Sequence, residues 1–132
     1  MQKIKTILIF LLLSILFTQV SFAQQSEIKN IDNAIKSGDA KAIAQYFSNS
    51  ITLNILGKEN VYSKTQAEQI LKDYLTKNNC STYQLKHQGN SRDKSVYVIG
   101  AFINNDINYR TYYFLGKEGN SYKIKELKIE KE

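Results

Sequence analysis

The chain opens on an apolar run from Ile7 to Phe17, broken only by Ser14, and then changes character. From residue 26 onward apolar positions recur periodically, first at helical spacing and later in alternation. Ser26 can cap a helix in which Ile28, Ile31 and Ile35 share one face. Ser37-Gly38-Asp39 interrupts it: Gly38 suits the left-handed conformation that ends a helix, and Asp39 suits the cap of the next. Ala40, Ile43, Ala44 and Phe47 then lie on one face of a second helix, which Ser48-Asn49-Ser50 ends. Ile51 to Ile55 alternates apolar and polar, the pattern of a half-buried strand, and Gly57-Lys58-Glu59-Asn60 reads as a turn. Ser63 with Gln66 forms a capping box. The helix it opens carries Ala67, Ile70, Leu71, Tyr74 and Leu75 as one continuous apolar stripe.

After Asn78-Asn79 the period changes to two. Thr82 to Gln88 alternates with Tyr83, Leu85 and His87 on one face, the expected inner one. Ser95 to Ile103, Asn108 to Leu115 and Tyr122 to Glu130 are three further strands. Asn104-Asn105-Asp106 and Lys117-Glu118-Gly119-Asn120 supply hairpin turns between them. In the last strand Tyr122 and Ile124 fall out of phase with Leu127 and Ile129, so a bulge is predicted near Lys125-Glu126. The order is helix, helix, strand, helix and a four-strand antiparallel meander. That is an α+β fold, with the helices on one face of a curved, mostly antiparallel sheet.

The apolar opening changes the picture of where the protein works. Lys3 and Lys5 precede it, and Ser21-Phe22-Ala23 ends it in small residues, which is the layout of a secretory signal peptide cleaved before Gln24. The run is shorter than the roughly 20 apolar residues of a spanning helix, so no stable membrane insertion is expected after cleavage. Residues 24–132 are then expected to form one small domain in the periplasm or outside the cell. With Lys3 and Lys5 gone, the net charge of +6 falls by two, and the remaining lysines are scattered singly. Nucleic-acid binders cluster such charges on one element, so no nucleic-acid partner is expected. Cys80 is the sole cysteine, so the fold must rest on its apolar core, with the thiol expected to be buried and inert.

The order of elements resembles the nuclear transport factor 2-like superfamily, whose members fold a bent sheet around helices into a cone. Ile35-Lys36-Ser37-Gly38-Asp39 with Ile43 and Phe47, leading into Ile51-Thr52-Leu53, is similar to that superfamily's N-terminal signature. More narrowly, Val61-Tyr62-Ser63-Lys64 and the stretch from Gln66 to Asp73 resemble a family of small exported Bacteroidetes proteins catalogued as a domain of unknown function. The closing Leu127 to Glu132 fits the same group. The resemblance implies a fold and an address, and no activity. The wider superfamily includes isomerases, dehydratases and hydrolases that use buried carboxylates or a His–Asp pair at the mouth of the cone.

The acids of this chain depart from that pattern. Asp39 serves as a cap, Asp93 and Asp106 sit in predicted turns, Asp73 lies on the polar side of its helix, and Glu126 stands at the expected bulge. No carboxylate pair is positioned for acid/base chemistry. One histidine, one cysteine and no clustered acids make no zinc site, and no cofactor is implied. His87, the sole histidine, is expected to be buried and hydrogen-bonded to a tyrosine or a backbone carbonyl.

Nine tyrosines and no tryptophan are more suggestive. Tyr46, Tyr74 and Tyr112 with His87 are candidates to line a pocket for a small apolar ligand. Arg110, between tyrosines, either stacks on them or anchors an anionic ligand. Val96, Val98 and Phe102 occupy one face of their strand, and Tyr97, Ile99 and Ile103 the other. Helices cover one side only, so the open face is expected either to be covered in a homodimer or to be screened by tyrosines and long lysine stems within a monomer. The chain is therefore expected to be an exported, non-catalytic module that binds a ligand or a protein. The alternatives are a small acid/base enzyme using His87 and a tyrosine, or an accessory subunit of a cell-envelope complex.

Overall fold

A computed structural model describes residues 1–16 and 19–132, with side chains described outside 12–23. Phe17 and the side chains of Ser21-Phe22-Ala23, on which the expected cleavage rests, lie outside the described residues. Helix α1 spans Gln2–Leu16 and exposes Ile4, Ile7, Leu8, Ile9, Phe10 and Leu11. Among the described residues no helix is long and apolar enough to cross a membrane.

Helix α2 runs over Gln19–Ser37. It does not begin at Ser26, because residues 19–25 hold neither glycine nor proline to break it. Gly38 takes φ +70, and Asp39 Oδ1 accepts the Ala42 amide at 3.0 Å to cap the short helix α3, Ala40–Ala44. Strand β1 (Phe47–Ile55) follows, so Ser48-Asn49-Ser50 is strand rather than a helix end. The segment read as a turn is strand β2 (Lys58–Ser63), joined to β1 through Leu56-Gly57 alone. It shows no apolar alternation because it is an edge strand exposed over most of its length. Helix α4 (Lys64–Lys77) starts with both halves of the expected capping box.

The meander is β3 (Gln84–Asn90), β4 (Val96–Asn104), β5 (Ile107–Glu118) and β6 (Ser121–Lys131). One six-stranded sheet has the order β2-β1-β6-β5-β4-β3, with β1 parallel to β6 and every other pair antiparallel. Phe114 pairs with Glu126 while Leu115 pairs with Ile124, which leaves Lys125 as the extra residue of the predicted bulge. That one residue lets Ile124 and Leu127 both face inward, at 0% and 2% exposure. Val96, Val98, Phe102, Tyr113, Leu115 and Ile129 line the same inner face, against Ile28, Ile31 and Ile35 of α2 and Leu71 and Leu75 of α4.

A second bulge changes the reading of β3. Leu85 pairs with Gly100, but His87 pairs with Ile99, so Lys86 is extra and the strand's facing reverses there. His87 accordingly points to the outer side and is exposed, not buried on the inner face.

Candidate functional site

Asp32 is a half-buried acid that reaches into the interior. It lies on α2 four residues after Ile28 and three before Ile35, so the helix turns it toward the sheet with its apolar stripe. Its Oδ1 accepts the Tyr83 hydroxyl at 2.8 Å and the Tyr113 hydroxyl at 2.9 Å. Tyr83 and Tyr113 are 4% and 0% exposed. Room for the Tyr83 ring comes from Gly100, where a Cβ would stand 2.4 Å from a ring carbon. Thr111 is close enough to the Tyr83 hydroxyl to lower its pKa, although its own buried Oγ1 meets no hydrogen-bond geometry.

The electrostatics follow from burial. Desolvation raises the Asp32 carboxyl above its ordinary 3.8, and the two hydroxyl donors offset part of that. Burial drives both tyrosines far above the usual phenol range, and the Asp32 charge adds to the shift. The triad is one carboxyl holding two neutral phenols, and it ties α2 to the segment before β3 and to β5.

The sign of this shift gives a pH dependence. A carboxyl whose folded pKa is raised stabilises the fold most when protonated, below its unfolded value of about 3.8. The contribution is lost as pH rises through the folded pKa. In urea unfolding, the stability of the protein relative to Asp32→Asn is expected to increase as pH falls toward 3.8 and to level off below it. A difference that grows as pH rises would contradict the assignment.

The five candidates from the sequence do not converge on this centre, and of them only Arg110 and Tyr112 share a cleft. Tyr74 is buried in α4, its ring beside an apolar cavity and its hydroxyl without a hydrogen-bond partner among the described residues. Tyr46 is half-buried against the core, and its carbonyl accepts the Ile124 amide at 2.6 Å. His87 stands on the outer face, where Nε2 meets the Tyr97 hydroxyl at 3.2 Å and the rings lie 5.7 Å apart. The tyrosine partner is the expected one; the burial is not. Arg110 and Tyr112 share a shallow cleft of about 260 Å³ with Glu126, Lys128 and Glu130, also on the outer face. Cys80 is buried and its thiol is pushed up to about 11, so it stays protonated and unreactive at neutral pH.

Asp32, Tyr83 and Tyr113 are the residues sequence reasoning passes over. The signal was present for Asp32, whose spacing from Ile28 and Ile35 sets it on the apolar stripe, where a lone acid needs a partner. Nothing local marks Tyr83 and Tyr113 as that partner, since they meet Asp32 from 51 and 81 residues away.

Across the outer face the strand registers align side chains in rows. His87, Ile99, Tyr112 and Lys128 form one row, and Tyr97, Phe114 and Glu126 the next. Ala101, Arg110 and Glu130 form a third. Tyr97, Ile99, Tyr112 and Phe114 are half-buried, with no helix among the described residues packed over them. Lys128 and Glu130 pair at 2.6 Å at the margin.

Helices followed by a bent mixed sheet with this strand order define a nuclear transport factor 2-like fold. A ketosteroid isomerase-like protein from Erwinia carotovora atroseptica superposes with a TM-score of 0.66 at 15% identity, over 86% of this chain and 95% of that one. At that identity the likeness shows the fold alone. Residues 28–130 match the family described as a domain of unknown function, DUF4783, and the chain belongs to that family. Two solved members are similar throughout. That from Bacteroides ovatus has 30% identity and a TM-score of 0.73, covering 78% of this chain and 93% of that one. That from Bacteroides uniformis has 27% identity and the same TM-score of 0.73, covering 79% and 95%. No curated protein matches.

Proposed function

We propose that this protein is an exported, non-catalytic interaction module that works as a homodimer through the outer face of its sheet. The observation that carries the reading is the apolar, mostly aromatic platform of Tyr97, Ile99, Tyr112 and Phe114, set mid-sheet with no element among the described residues packed across it. Side chains of this kind dominate the centres of protein interfaces. The platform is rimmed by both signs of charge, Arg110 and Lys128 with Glu126 and Glu130. A two-fold contact sets a patch against its own copy, so a face bearing both signs can be complementary to itself. The interior supports the same reading. The hydroxyls of Tyr83 and Tyr113 are both committed to Asp32, and none of the three residues lines the five principal cavities. The apolar leader is the feature that favours export.

Sedimentation equilibrium over a dilution series tests the dimer. The protein is expected to dimerise, and Tyr112→Glu, which places two like charges across the two-fold contact, is expected to leave a folded monomer. A protein that stays monomeric throughout, or a Tyr112→Glu variant that still dimerises, would overturn the proposal. Amino-terminal sequencing of the secreted product tests export, with Gln24 the expected first residue.

A further inference from the structure

A second site lies on the other side of the sheet, under α4. The β1–β2 register sets Ile51 opposite Tyr62, Leu53 opposite Asn60 and Ile55 opposite Lys58, and directly paired residues share a face. Leu53 is buried inward at 1% exposure, so Ile55, Lys58 and Tyr62 turn toward α4 with it. Ile70 and Tyr74, one helical turn apart, come down from above. These six residues line a half-open cavity of about 240 Å³ whose walls are mostly apolar.

The single charge in that lining is Lys58. Its ammonium has no ion pair or hydrogen bond among the described residues, whereas its neighbour Glu59 is engaged by Asn54 Nδ2 at 2.8 Å. The hairpin that presents Lys58 is held firmly. Asn54 Oδ1 accepts the Gly57 amide at 3.1 Å, and the Leu56 amide donates to the Ile129 carbonyl at 2.9 Å. Leu56 adopts φ +52, a conformation that bulky side chains rarely take, so the turn is fixed by its surroundings rather than by its own preference. A preformed apolar hole with one unmatched cation beside it is complementary to an amphiphile that has one anionic end.

We propose that this cavity binds a small monocarboxylate, with the aliphatic tail between Ile55, Ile70 and Tyr74 and the carboxylate on Lys58. A dry apolar cavity of about 150 Å³ holds a benzene-sized molecule, so one of this volume takes a tail of about eight carbons. The site is separate from the outer face, and it stands whether or not the protein dimerises.

Octanoate and octylammonium, amphiphiles of similar length with head groups of opposite charge, test it on the intact protein by thermal shift and calorimetry. Octanoate is expected to raise Tm saturably and to bind at least about fivefold more tightly than octylammonium. Lys58→Glu, on an exposed position that leaves the fold alone, is expected to invert that order. Ile70→Phe, which fills the cavity, is expected to remove octanoate binding while urea unfolding shows the variant folded. Equal binding of the two probes, no saturable binding of octanoate, or an order unchanged by Lys58→Glu would overturn the proposal. Adsorption to the exposed apolar side chains of α1 would not respond to Lys58, so the charge swap separates the two.

Discussion

Replacing Tyr83 and Tyr113 together by phenylalanine is expected to destabilise the protein by about 3–5 kcal/mol. Each hydroxyl donates to the same oxygen of Asp32, at 2.8 and 2.9 Å. A hydrogen bond to a charged group contributes about 1.5–3 kcal/mol, and the loss of both leaves an acid facing a hydrophobic core with neither donor. The two single variants are each expected to cost less than half of the double, because the remaining phenol still solvates the carboxylate. That non-additivity is the signature of a shared acceptor. Changing Asp32 to leucine in the double-phenylalanine background is expected to recover most of the loss, since removing both sides of a part-buried polar contact is less costly than removing one. Urea unfolding of the five proteins checks this. A double variant that merely sums two small effects would show that the phenols do not act through Asp32.

Gly100→Ala is expected to cost about 2–3 kcal/mol, although the change adds a single methyl group to a strand. The new Cβ would lie 2.4 Å from one Tyr83 ring carbon and 2.5 Å from both a second ring carbon and the hydroxyl oxygen, all well inside van der Waals contact. In an exposed side chain the ring would swing aside. Here the ring is 4% exposed and its hydroxyl is fixed to Asp32, so relief of the clash breaks the hydrogen bond or displaces the strand. The test is coupling: in a Tyr83→Leu background, which removes the ring, Gly100→Ala is expected to cost less than about 1 kcal/mol. An equal cost in both backgrounds would place the effect in the backbone of β4 instead.

What could be read from the chain divides along physical lines. The capping box at Ser63 and Gln66, the cap at Asp39 and the left-handed Gly38 are local devices, each decided by residues within a turn of one another. The bulge at Lys125 was legible because Ile124 and Leu127 are both strongly apolar, and only one extra residue lets both face the core. The bulge at Lys86 was not. Leu85 and His87 are both tolerated in water, so no burial demand marks the change of phase, and His87 was assigned to the wrong face. Strand β2 escaped for a related reason, since an edge strand exposed along most of its length keeps no apolar period to detect. Asp32 stood on the apolar stripe of α2 in plain view. Its partners are tyrosines brought to it only by the closure of the sheet, and that information is tertiary.

The rows on the outer face show the same division. Alternation along β4 placed Tyr97 and Ile99 opposite Val96 and Val98, as observed. Which strand lies beside which, and hence that Tyr112 stands between Ile99 and Lys128, depends on register that single strands do not carry. The candidates Arg110 and Tyr112 therefore come together on the outside, not within the cone, while Tyr74 contributes to a cavity of its own.

The central claim is that Asp32 locks α2 into the sheet through Tyr83 and Tyr113. Hydrogen exchange of the amides from Ile31 to Ile35 measures this directly. The account predicts that they exchange only through global unfolding, at the same free energy as the slowest amides of β4, β5 and β6, and that the double-phenylalanine variant opens them separately. Exchange of those amides in the unmodified protein by local opening, well below the global free energy, would contradict it.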